Sequence, residues 1–95
     1  MFSPEHAPLR ALLVEMRQAA GLTQRGLAKR LGREHSFVAR LEQGERRLDV
    51  VEFLWVCRAC GASPTTVIRD LVRRINKERS SQERGPTSSR RRSGV

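Results

Sequence analysis

Nowhere in the 95 residues does an apolar run approach the roughly 20 that a membrane span requires. The N-terminal MFSPEHAPLR lacks the basic start and apolar centre of a signal peptide, so no membrane partner and a cytoplasmic location are expected. Strand-like alternation is also missing: no period-2 stretch in residues 1–75 is long enough for a strand. Cysteine is scarce. Cys57 and Cys60 form a single CxxC, with no second CxxC, with His6 and His35 far upstream, and with no strand pattern before it. Placed three apart on a helix, the two thiols are expected to face a core, and no metal or cofactor is expected. Paired carboxylates, a metal-ligand cluster and a nucleophile with its base are all lacking. In so short a chain this excludes an enzyme and leaves no small-molecule ligand evident. Acidic residues are few as well: 10 Asp and Glu face 19 Lys and Arg, for a net charge of +9 and a pI near 11.5. Such an excess favours polyanionic partners, nucleic acid first among them.

What is present is helical periodicity, enough for one all-α domain of five helices. The first is expected from about Pro8 to Ala20, with Leu9, Leu12, Leu13 and Met16 as its stripe and Gly21 as its stop. The second follows Thr23 as N-cap, turns Leu27, Ala28 and Leu31 inward, and stops at Gly32. Gly26 stands where Glu or Gln would complete a capping box. The third spans about Glu34 to Gln43, with Val38, Leu41 and, at its edge, Phe37 on one side, and ends at Gly44. A fourth follows Asp49 as N-cap, with Val50, Phe53, Leu54, Cys57 and Cys60 inward. Trp55, Glu52, Arg58 and Ala59 are placed outward on it. The fifth begins after Ser63 with Pro64 in its first turn and uses Val67, Ile68, Leu71 and Ile75.

Composition changes at about Asn76. From there NKERSSQERGPTSSRRRSGV holds no apolar residue but Val95 and cannot bury enough surface to offset ordering entropy. A domain over 1–75 and a disordered basic tail over 76–95 are therefore expected, the tail carrying +4 and the domain +5. A tail that tracks phosphates would, on deletion, weaken all DNA binding equally. No internal repeat is visible.

Helices two and three are short and joined through Gly32, the arrangement of a helix-turn-helix, here over about 24–43, whose second helix can lie in the major groove. The run GLTQRGLAKRLGREHSFVARLEQGERRLDVVEFLWVCRACGASPTTVIRDL resembles the Cro/C1-type, lambda-repressor-like helix-turn-helix family, and within it the small bacterial regulators of the xenobiotic-response-element (XRE) type. The likeness covers about residues 9–72. Departures are Gly26 for a usual acidic residue, Glu34 and His35 where small polar residues or Pro-Gln are common, and Trp55 at a usually charged position.

The resemblance implies roles residue by residue. His35, Ser36 and Arg40 match base-contacting positions, with Ala39 between them giving clearance to the groove floor. Arg40 has the donors to grip guanine O6 and N7, though a solvated or phosphate-bound charge is the alternative; His35 and Ser36 are either base readers or plain surface. Phe37 either touches a thymine methyl or packs at the domain edge. Gln24, at the start of helix two where N–H groups favour an anion, matches a residue that bridges phosphate and the recognition helix. Arg46 and Arg47 in GERRL are expected at the sugar-phosphate backbone, and Arg25, with Lys29 and Arg30, either adds to this or forms a solvated face. Arg17 and Glu42 match a structural ion pair joining helix one to helix three.

The implied activity is sequence-specific binding of double-stranded DNA by a transcriptional regulator. It is expected to be a homodimer on a palindromic operator within the nucleoid. A second reading is a protein-interaction module on the same fold, antitoxin-like or an adaptor, whose basic tail binds nucleic acid. Exposed apolar residues on helix three would favour that reading, and its outer face instead carries Ser, Ala, Arg and Gln.

Overall fold

The computed structural model describes residues 6–83, with side chains through residue 77. It has five helices: α1 (His6–Ala19), α2 (Gln24–Leu31), α3 (Ser36–Gln43), α4 (Val50–Cys60) and α5 (Pro64–Glu83). Among the described residues there is no strand, and no helix is long and apolar enough to cross a membrane.

The predicted stripes build most of the core. Leu12, Leu13 and Met16 of α1 meet Leu27 and Ala28 of α2 and Phe37, Val38 and Leu41 of α3, while Phe53, Val56 and Cys57 of α4 and Val67 of α5 close it. Burying a side chain of this kind stabilises by about 1.5–3 kcal/mol each, which holds helices too short to persist alone. α1 lies against α3, α4 and α5, and α2 against α3 and α4. The α2–α3 pair is thus supported from behind, with α5 on the far side of α1.

Local caps explain the boundaries. Thr23 Oγ1 accepts from the Gly26 N–H at 2.9 Å, so α2 has half a capping box. A Cβ on Gly26 would lie 3.1 Å from that same oxygen, a tight fit that a glycine avoids. Gly32 and Gly44 end α2 and α3 at φ 70° and 82°, a conformation that costs other residues strain. Each chain reversal is fixed by two bonds: Gly32 and Arg33 N–H to Lys29 and Ala28 carbonyls, Gly44 and Glu45 N–H to Leu41 and Arg40 carbonyls. α3 starts two residues later than expected because His35, at the cap, makes no side-chain capping bond, and Glu34 stays in the turn.

Four side-chain placements need correction. Val50 and Leu54, read as inward on α4, are 74% and 42% exposed, whereas Val56 is buried. Glu52, read as outward, is buried, because it completes a capping box with Asp49 and takes two arginines, which sets the helix's rotation. Ile68 on α5, read as inward, is 43% exposed; Val67 and Leu71 make the contact instead. Cys57 is fully buried with its thiol 3.9 Å from Met16 Sδ, and Cys60 is partly buried; burial pushes both thiols up from their ordinary pKa.

α5 runs to Glu83, eight residues past Ile75, since neither Gly nor Pro interrupts the chain between Pro64 and Gly85. Arg74 fastens it to α1 through Glu15, at 2.8 and 3.1 Å, while Nε meets Asp70 one turn back at 3.1 Å. The remainder of the expected tail, residues 84–95, lies outside the described residues.

Candidate nucleic-acid interface

Two carboxylates hold α3 and the segments around it. Glu42, on α3, accepts from Arg17 Nε at 2.7 Å and Nη2 at 3.1 Å, and from Gln24 Nε2 at 2.8 Å. Arg17 also donates to the Leu22 carbonyl at 3.0 Å, so one guanidinium links α1, the turn before α2, and α3. The pair is largely buried, with side-chain exposures of 13% and 7%. Its bond to Glu42 holds the Arg17 guanidinium above its ordinary pKa. The expected ion pair is present, and Gln24, the first residue of α2, is joined to α3 through Glu42.

Glu52, on α4, takes Arg46 through Nη1 at 3.0 Å and Nη2 at 2.9 Å, and Arg33 Nη1 at 3.5 Å, while Oε1 accepts the Asp49 N–H at 3.1 Å. Arg46, followed by that backbone bond, lowers the Glu52 carboxyl to about 2. Both guanidiniums also lie over the Phe37 ring, 4.1 Å (Arg33) and 4.8 Å (Arg46) from its centroid. Phe37 is only 2% exposed, so it packs beneath the arginines and has no surface for a thymine methyl. Arg46, expected at phosphate, is therefore first a structural residue whose charge Glu52 offsets. Sequence reasoning gave Glu52 and Arg33 no role. The Asp49-x-x-Glu52 spacing is a capping box that could have marked Glu52, whereas nothing local marks Arg33.

The outer side of α3 is free of these ties. Ser36, Arg40 and Gln43 are exposed and Ala39 is half-buried, a small side chain on the strip between them. Arg40 meets Glu34 only at 3.9 Å, both more than half exposed, a pairing worth little in water. His35 is exposed at the helix start, where its Nδ1 accepts from Arg25 Nη2 at 3.3 Å. Arg47 is exposed and its side chain has no hydrogen bond or ion pair among the described residues. His35, Ser36, Ala39 and Arg40 therefore share one accessible strip. Arg25 borders it at His35, and Arg47 lies just past its end.

The helix-turn-helix domain family matches residues 8–71. The chain belongs to that family. Among solved structures, this helix-turn-helix domain is 47% identical to an XRE-family-like protein from Pseudomonas syringae pv. tomato str. DC3000, over 74% of this chain and 85% of that one, with a TM-score of 0.69. It is 26% identical to the clp gene regulator ClgR from C. glutamicum, over 77% and 95% of the two chains, with a TM-score of 0.66. The restriction-modification controller protein C.Esp1396I shares the fold, at 18% identity and a TM-score of 0.71 over 80% and 99%. No curated protein matches the chain significantly. The XRE-type resemblance of the sequence thus agrees with both the family and the fold.

Proposed function

We propose that this helix-turn-helix domain is a sequence-specific binder of double-stranded DNA that regulates transcription on the nucleoid, with α3 in the major groove. The observation that carries this is the contrast between the two sides of α3. Its inner side is fixed by Phe37, Val38, Leu41 and the Glu42 cluster, while on its outer side Arg40 meets only Glu34, at 3.9 Å, and His35, at the helix start, meets only the exposed Arg25, at 3.3 Å. Arg40 donates to a guanine edge, Ser36 and His35 read the neighbouring bases, and Ala39 lets the helix approach. Gln24, Arg25 and Arg47 contact phosphate and set register. Arg46 contributes to the interface mainly by holding the loop that carries Arg47.

A helix of eight residues reads few base pairs, so the reading includes a homodimer on a two-fold operator with half-sites about one turn, ~34–36 Å, apart. The surface that fits a second copy is the exposed apolar strip of Val50, Leu54, Ile68 and Val72 along α4 and α5. On α5, Ile68, Val72 and Ile75 recur at alternating four- and three-residue steps, the spacing of a helix-pairing seam. That strip belongs to helices that leave the outer side of α3 clear.

Selection from a random duplex library with the purified full chain tests the reading. A two-fold symmetric site should emerge at physiological salt. Enrichment of no sequence over non-specific DNA would overturn it.

A further inference from the structure

Trp55 is the only tryptophan, and α4 does not need it for the core: Phe53, Val56 and Cys57 face inward, and Trp55 is 50% exposed. It borders an open recess of about 380 Å³ between the end of α2 and α4, lined by Arg30, Leu31, Trp55, Arg58 and Ala59. The recess is separate from the α4–α5 strip, which lies around the helix on the Leu54 side. Its lining has two cations, three apolar side chains and no carboxylate. Arg30 is pre-positioned there, because its Nη1 donates to the Ala59 carbonyl at 2.8 Å, near the last turn of α4. Arg58 is exposed.

These features choose among polyanions. A duplex backbone needs cations but offers no apolar surface to an indole, and its bases are stacked out of reach. A polypeptide segment with carboxylates around an apolar anchor matches both parts: Arg takes carboxylates in a planar fork, and the anchor covers Trp55, Leu31 and Ala59. Trp and Arg together are also the residue types in which protein interfaces concentrate binding energy. We propose that the Trp55 recess is a docking site for an acidic, amphipathic segment of another protein, independent of whether α3 reads DNA.

The emission of Trp55 reports on its own site. The full chain would be titrated with a synthetic amphipathic peptide of Glu and Leu, with its Gln-for-Glu and Lys-for-Glu counterparts, and with a single-stranded oligonucleotide. The Glu peptide should shift the emission to the blue and saturate, and the Gln counterpart should bind at least about tenfold more weakly. Arg58→Glu, with its helical circular dichroism unchanged, should lose about tenfold for the Glu peptide and gain for the Lys peptide. Absence of a saturable response to the Glu peptide, or equal binding of the Gln counterpart, would overturn the proposal. A response to the oligonucleotide at lower concentration than to the Glu peptide would overturn it in favour of a nucleic-acid contact.

Discussion

Glu42 and Glu52 each gather basic or amide donors beside the same short helix, but from different kinds of neighbour. Glu42 sits on α3 and collects Arg17 from α1 and Gln24 from α2, so its bonds join regular elements. Glu52 sits on α4 and collects Arg33 from the turn before α3 and Arg46 from the loop after it, so its bonds fix irregular chain. The first sets where the helix lies; the second sets how its flanking basic segments run. A deletion at each carboxylate should separate these roles.

The largest effect is expected from Glu42→Ala. Removing one partner leaves the buried Arg17 charge and the Gln24 amide uncompensated, at a cost of about 3–5 kcal/mol in urea unfolding. DNA binding would then be lost through unfolding, not through loss of a contact. Glu52→Ala comes next, at about 2–3 kcal/mol, since it removes the Glu52 half of the capping box and the partner of two partly exposed arginines.

Glu52 also ties stability to pH. The folded Glu52 carboxyl, at about 2, lies below its ordinary value of 4.5, so its stabilisation is present above pH 4.5 and is lost as pH falls toward 2. Glu52→Gln should flatten that part of the stability profile in a series of thermal melts between those pH values. A profile parallel to that of the wild type would show that the carboxylate is not what holds the loops.

Arg46 and Arg47, adjacent in sequence, sharpen the comparison further. Arg46→Ala should cost about 1–2 kcal/mol of stability because Glu52 loses its main partner, and Arg47→Ala should stay within about 0.5 kcal/mol of wild type. Arg47→Ala should instead weaken binding to all DNA alike and lower the slope of log affinity against log salt by about 1.

The difference between the two carboxylates is also the difference between what could and could not be read in advance. The Arg17–Glu42 pair and the place of Gln24 were legible because they lie on regular helices, where spacing fixes the facing residues and the family pattern supplies the match. Core positions on α1, α2 and α3 were legible for the same reason: one apolar stripe per helix leaves one rotation. On α4 apolar residues stand at 50, 51, 53, 54, 55, 56 and 57, nearly all round, so periodicity could not choose a face. Tertiary ties to Glu52 chose it, exposing Val50 and Leu54. Arg46 was expected at phosphate as part of GERRL, and only the folded loop shows that its guanidinium also holds Glu52. That His35, Ser36, Ala39 and Arg40 share one accessible strip was legible, while the late start of α3 and the Arg25–His35 contact depend on a turn that no cap residue announces.

The central claim is that the outer side of α3 reads base edges, and Arg40 tests it most directly. Equilibrium binding of wild type and Arg40→Ala would be measured on the selected operator and on a set carrying each base-pair substitution in turn. Arg40→Ala should melt like the wild type, lose about 1–3 kcal/mol on the operator, and cease to discriminate among bases at one pair in each half-site. If Arg40→Ala discriminates at every position as the wild type does, then Arg40, and with it this orientation of α3, does not read the DNA.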